Sequence, residues 1–102
     1  MVIIYSTFKN TEEAVKVGKI LLDKKLASCV NIWPIQSMYY WEGKFENHLE
    51  AGMYVKTLEH HLAEIESLIE QNHSYSVPFI GAIDVRRFNR PYREWMTTVV
   101  KQ

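Results

Sequence analysis

Residues Met38–Glu46 read MYYWEGKFE, three aromatic side chains in a row followed at once by Glu-Gly-Lys. The triplet Glu42-Gly43-Lys44 has the composition of a short hairpin turn, with glycine supplying a positive φ. A strand with one face on a core and the other in water alternates apolar and polar residues. Tyr39, Tyr40 and Trp41 break that alternation by placing large rings on both faces, so the ribbon that carries them needs cover on its second side.

The flanking residues place this hairpin in a fold. Downstream, Phe45 to Thr57 keeps a period of two, with Leu49, Ala51, Met53 and Val55 on one face and Glu50, Gly52, Tyr54 and Lys56 on the other. Upstream, Ala27–Trp33 (ASCVNIW) has strand composition as far as Pro34, which interrupts any central ladder. A bend is expected there, with the strand resuming at Gln36 or Ser37. Val2–Phe8 (VIIYSTF) reads as a buried strand ending at Lys9-Asn10. Asn10, with Glu13 three positions on, marks a helix start, and Ala14, Val17, Gly18, Leu21 and Leu22 share one helical face. Lys24 and Lys25 suit that helix's C-terminal dipole. Leu58–Gln71 is a second amphipathic helix on the stripe Leu58, Leu62, Ile65 and Ile69, with His61 where an apolar residue is expected. After a polar connection come a fourth strand, Phe79–Val85, a basic loop, Arg86–Arg90, and a short helix opened by Pro91 that carries Tyr92, Trp95, Met96 and Val99.

This order predicts an α+β, ferredoxin-like domain: βαββαβ plus a C-terminal helix, with one antiparallel sheet, both main helices on one face and the other face bare. Central strands of roughly 13 residues exceed the usual 3 to 10, so the hairpin projects beyond its helical cover. Copies of the same chain would cover both the bare face and the projection, which predicts a homo-oligomer with Tyr39, Tyr40, Trp41 and Trp95 at its interface. The alternative is that these rings pack on the terminal helix, through Tyr92 and Trp95, within one subunit.

Composition bounds the function. The chain of 102 residues reads as one domain, 1–102, and its 12 basic and 12 acidic residues cancel, so the positive field that drives nucleic-acid binding is missing. Runs such as Val2–Tyr5 are far short of the roughly 20 apolar residues that cross a bilayer, and no membrane association is expected. A single cysteine, Cys29, and a start that lacks a basic n-region lead to the expectation of a cytoplasmic protein.

At KLASCVNIWPIQSMYYWEGK (25–44), Lys56-Thr57, HSYSVP (73–78) and YREWM (92–96) the sequence resembles the CutA divalent-cation tolerance family over nearly its whole length. The resemblance implies a ferredoxin-like domain assembled as a PII-like homotrimer, tolerance to divalent metal ions, and binding of copper (Cu2+) or another divalent cation, with no family-wide enzymatic reaction. Some bacterial members are assigned a copper site built from a first-strand cysteine and a His-His pair. The matching positions here are Ser6, Asn72 and His73, so one of the three ligands remains.

His73 is therefore the leading metal candidate, and it is open to a second reading as a structural histidine whose ring nitrogens bond a backbone carbonyl. Cys29 is the other soft donor, although a lone cysteine in an apolar strand is commonly a small core residue. Adjacent His60 and His61 point about 100° apart on a helix and do not clamp one ion together, while His48 stands isolated on the third strand. A ligand cleft is expected around Lys56, Tyr75, Glu42 and Trp41. Two binding functions follow: weak divalent-ion sites near subunit boundaries, or a PII-like small-anion sensor using Lys56 and Tyr75. An enzyme is not expected. Acylphosphatases share this element order but need an anion-cradling loop with an arginine, and the loop Thr7–Asn10 carries only Lys9.

Overall fold

Alternation along Val2–Phe8 sets the layers. Val2, Ile4, Ser6 and Phe8 are buried, while Ile3, Tyr5 and Thr7 on the opposite face stay half-buried. In the computed structural model, which describes residues 1–102, this strand (β1) is followed by α1 (Thr11–Asp23), β2 (Ala27–Trp41), β3 (Lys44–Thr57), a single 3-10 turn (Glu59–His61), α2 (Leu62–Gln71), β4 (Ile80–Asp84) and α3 (Arg90–Val99). The strands form one antiparallel sheet in the order β2-β3-β1-β4, the α+β arrangement expected from the sequence.

Helices α1 and α2 cover one face. Ala14, Val17 and Leu21 of α1 and Ile65 and Ile69 of α2 meet Ile4, Phe8, Ala51, Met53 and Val55 of the sheet in one continuous core. Helix α1 starts where Asn10 accepts a hydrogen bond from the Glu13 backbone N–H at 2.8 Å, a side-chain cap on an otherwise orphaned donor. Leu22 falls outside the buried face and is exposed, because the packed stripe is made by Ala14, Val17, Gly18 and Leu21.

Two other local expectations change, and a third position finds its partner. Strand β2 runs through Pro34 without a break, since it is an edge strand, and an edge carries a row of unpaired positions in which a missing N–H costs no ladder bond. Leu49 keeps the period of Ala51, Met53 and Val55 yet is exposed, because the core-facing helices end before it. His61, the polar intrusion on the second helical stripe, is buried, and its Nε2 lies 2.6 Å from the Lys101 carbonyl oxygen. It pins the last residues of the chain, together with Lys101 N–H donating to Lys25 O at 2.8 Å.

The hairpin turn has two residues, Glu42 at φ 51 and Gly43 at φ 79. Beyond the helices the ribbon stretches the molecule to 47 Å against 25 and 21 Å in the other directions. Helix α3 lies against the first residues of β2, where the Tyr92 hydroxyl meets Ser28 Oγ at 3.0 Å. Its Trp95 packs on Tyr92, not on the ribbon tip. In the single subunit the rings of Tyr40 and Trp41 stay exposed, at 75% and 47%. The second sheet face carries an aromatic cluster, with Tyr5 against Trp33, Tyr54 and Phe79, and Gly52 gives the Trp33 ring its room.

Candidate functional site

The connection from α2 to β4 folds around His73. Its Nε2 lies 2.7 Å from Thr7 O, and its Nδ1 accepts the Tyr75 backbone N–H at 3.0 Å. Those partners require the neutral ring with the proton on Nε2, and they occupy both nitrogens. The ring stacks on Phe8, with centroids 4.6 Å apart, and its side chain is fully buried. A metal would have to displace one of these bonds. On the other side, Glu13 Oε1 comes within 3.8 Å of Nδ1, and this buried carboxylate oxygen has no hydrogen-bond partner.

His73 thereby aims Tyr75 at the sheet, where the Tyr75 O–H donates to Glu50 Oε2. Glu50 is on the face of β3 away from the helices and is only 6% exposed. It makes no ion pair, and the phenol is its hydrogen-bond donor. Burial first, and then the bond to Glu50 and its charge, push the Tyr75 phenol well above its ordinary range. Tyr39 is raised too, by desolvation first and then by Glu50 and Glu46.

Above this layer lies a hollow of about 320 Å³ lined by Tyr39, Trp41, Ser74, Tyr75, Ser76 and Val77. The ribbon supplies the first two residues, and the connection supplies the others. Two of the four expected cleft residues, Trp41 and Tyr75, meet here. Glu42 stands in the turn and does not line the hollow. Lys56 lies six residues from Glu50, about 20 Å along the strand, with its Nζ 5.5 Å above the Tyr92 ring. No lysine or arginine lines the hollow, so an anion would meet no opposite charge there within one subunit.

The two metal candidates do not converge. Cys29 sits opposite Lys56, level with Ile3, whereas His73 bonds Thr7, about 13 Å further along β1. No three His, Cys, Asp or Glu side chains are grouped to hold an ion. His48, however, is not isolated: its Nε2 lies 2.5 Å from Glu46 Oε1, and the ring is half exposed. The signal was present as i, i+2 spacing on one face of a strand. Glu50, on the polar face of β3 and among the charges that could line a cleft between subunits, continues the same row.

Comparison with known proteins gives one family. The family described as "CutA1 divalent ion tolerance protein" matches residues 2–99. A relative in Archaeoglobus fulgidus, "Divalent-cation tolerance protein CutA", is 43% identical over 98 residues, covering 96% of each chain. The crystal structure of CutA1 from Pyrococcus horikoshii superposes with a TM-score of 0.95 at 38% identity, covering all of both chains. The human relative, "Protein CutA", is 32% identical over 98 residues, 95% of this chain and 55% of its own length.

Proposed function

Because the chain belongs to the CutA1 divalent ion tolerance family, we propose that it works as a homotrimeric divalent-cation tolerance protein that binds copper or a similar ion weakly. The observation that carries this reading is the dispersal of donors. His73 is tied at both nitrogens, Cys29 is remote, and the one exposed imidazole–carboxylate pair, His48 with Glu46, offers two donors where a closed site needs about four. Donors from adjacent subunits would complete such partial sites on the ribbon. The exposed rings of Tyr40 and Trp41 and the aromatic sheet face supply the surface for that assembly. A binding role in place of catalysis agrees with the family's naming for tolerance, and a free Cys29 agrees with a reducing, cytoplasmic setting.

Calorimetric titration with Cu2+ tests the reading. Weak, saturable binding is expected, with a dissociation constant of about 1 μM or higher that His48→Ala raises at least about tenfold. His73→Ala should lower stability more than affinity, because its ring holds Thr7 and Tyr75. A flat titration of the wild-type protein would remove metal binding from the account, and binding abolished by His73→Ala alone would move the site to the connection.

A further inference from the structure

The basic loop between β4 and α3 has no part in the metal reading. Residues 86–93 read RRFNRPYR, four arginines in eight residues with no acid among them, in a chain whose total charge is zero. All four arginines are exposed, and Arg86 and Arg87 make no ion pair. Arg93 lies over the Phe88 ring, with its Cζ 5.1 Å from the centroid, and donates to the Phe88 carbonyl oxygen at 3.2 Å. A ring and a backbone oxygen hold this guanidinium in place, and no carboxylate neutralises it. Arg90 alone meets an acid, Glu94 at 2.8 Å, and with the two side chains 83% and 64% exposed that pair is weak and open to exchange.

The loop sits at the end of the molecule away from the ribbon tip. Val85 N–H donates to Met1 O, and Val2 pairs with Thr57, roughly 43 Å along β3 from Lys44 at the turn. The homotrimer proposed above rests on the ribbon and the aromatic sheet face, and neither includes residues 86–93. Guanidinium groups without an acid partner are costly in a dry subunit contact, so they face water in the ring as they do in the single chain. Charge, extent and shape then select the partner. The planar fork of arginine pairs with a carboxylate through two parallel hydrogen bonds. The basic run is short, with Asp84 before it and Glu94 after it, so a long nucleic-acid strand whose phosphates continue past the loop meets acids on either side. An acidic peptide can end where the patch ends. None of the hollows of the molecule takes in a residue of this loop, so its partner lies along the surface and is not an enclosed small molecule.

We infer that Arg86, Arg87, Arg90 and Arg93 form a docking surface for a short acidic segment of another protein, a run of Asp or Glu residues comparable in length with the loop. The inference does not depend on where a divalent ion sits.

The test is fluorescence anisotropy of a dye-labelled hexaglutamate peptide titrated with the intact protein at about 50 mM salt. Saturable binding is expected, with a dissociation constant at or below about 100 μM that rises at least about fivefold at about 300 mM salt. Arg86→Glu combined with Arg87→Glu should weaken binding by about tenfold or more, with the thermal midpoint unchanged because both side chains are free on the surface. Lys16→Glu combined with Lys19→Glu, exposed on α1, alters the net charge by the same amount and should leave binding within about twofold. Wild-type protein silent to the peptide overturns the inference, and so does an equal loss in the two double variants. A labelled single-stranded oligonucleotide of the same charge that binds about tenfold more tightly than the peptide would overturn it too, and would give the loop to nucleic acid. Binding that appears only after Tyr40→Glu with Phe45→Lys has broken the ring is the last contrary result, since the loop would then be covered in the assembly.

Discussion

Glu42 holds φ 51 beside Gly43 at φ 79, so both residues of the ribbon turn are left-handed, as a two-residue type I′ hairpin requires. The sequence advertised this for glycine alone. A left-handed backbone costs a residue with a Cβ about 1–2 kcal/mol, less for asparagine, so Glu42→Asn should raise stability by about 0.5–1 kcal/mol. The denaturant midpoint at fixed protein concentration measures it, and a lower midpoint would mean that the glutamate side chain has a stabilising partner. Tyr75 makes a pH-dependent prediction. Its phenol is raised above the ordinary 10, so above pH 10 the folded chain keeps a proton that the unfolded chain releases. This contribution to stability is complete below pH 10 and declines as pH climbs toward the folded value. Tyr75→Phe should lose about 1–3 kcal/mol at neutral pH, because Glu50 is left without its donor, and should lack Tyr75's part of the alkaline decline. Equal alkaline slopes for the two proteins would refute the coupling. His73 shows what a residue type cannot disclose: the structural alternative was legible, but its partner, Thr7, is 66 positions away in sequence.

Among elements, the ribbon is where periodicity reads best and then stops informing. Alternation identified both faces of β3, yet Leu49, in phase with the core, is 77% exposed because α1 and α2 do not reach it. The length of helical cover is a tertiary quantity and leaves no mark on the strand's own pattern. Pro34 misled for a related reason, since the cost of a missing N–H depends on whether the strand is central or edge. Packing across strands yields a sharper test. A Cβ on Gly52 would meet Trp33 Cε2 and Cζ2 at 2.9 Å, so the glycine of β3 is the seat of an aromatic residue of β2. Gly52→Ala should lift that ring from Tyr5 and Tyr54, lower stability by about 1–3 kcal/mol and shift tryptophan emission to the red. Unchanged emission and midpoint would show that the ring slides aside freely and that the aromatic cluster is not a packed unit. The expected cleft divided along the same lines: Trp41 and Tyr75 come from segments that meet, while Lys56 shares a face with Glu50 but not a position along it.

At the scale of the whole molecule, the decisive quantity is apolar surface that one subunit leaves in water. A domain of this length buries only about two-thirds of its unfolded surface, and here Tyr40 and Phe45 pair at the ribbon tip, 5.5 Å apart, with 75% and 52% exposure. They point to the side opposite Tyr39 and Trp41, so the tip offers rings in two directions at once. No packing within the chain can satisfy both, since α3 is held at the far end of β2 by Tyr92 and Ser28. A closed ring of identical subunits satisfies them together, each ribbon lying across its neighbour. The homotrimer proposed above therefore predicts a sedimentation-equilibrium mass three times the 12.1 kDa of the chain, held down to micromolar concentration. Because association is linked to folding, the thermal midpoint should rise with protein concentration. Tyr40→Glu combined with Phe45→Lys should break the ring, giving single subunits whose midpoint no longer depends on concentration, while leaving the hollow's three rings untouched. A wild-type protein that sediments as one subunit, with a concentration-independent midpoint, would mean that the exposed tip has some other partner, and the shared ion sites would lose their foundation with it.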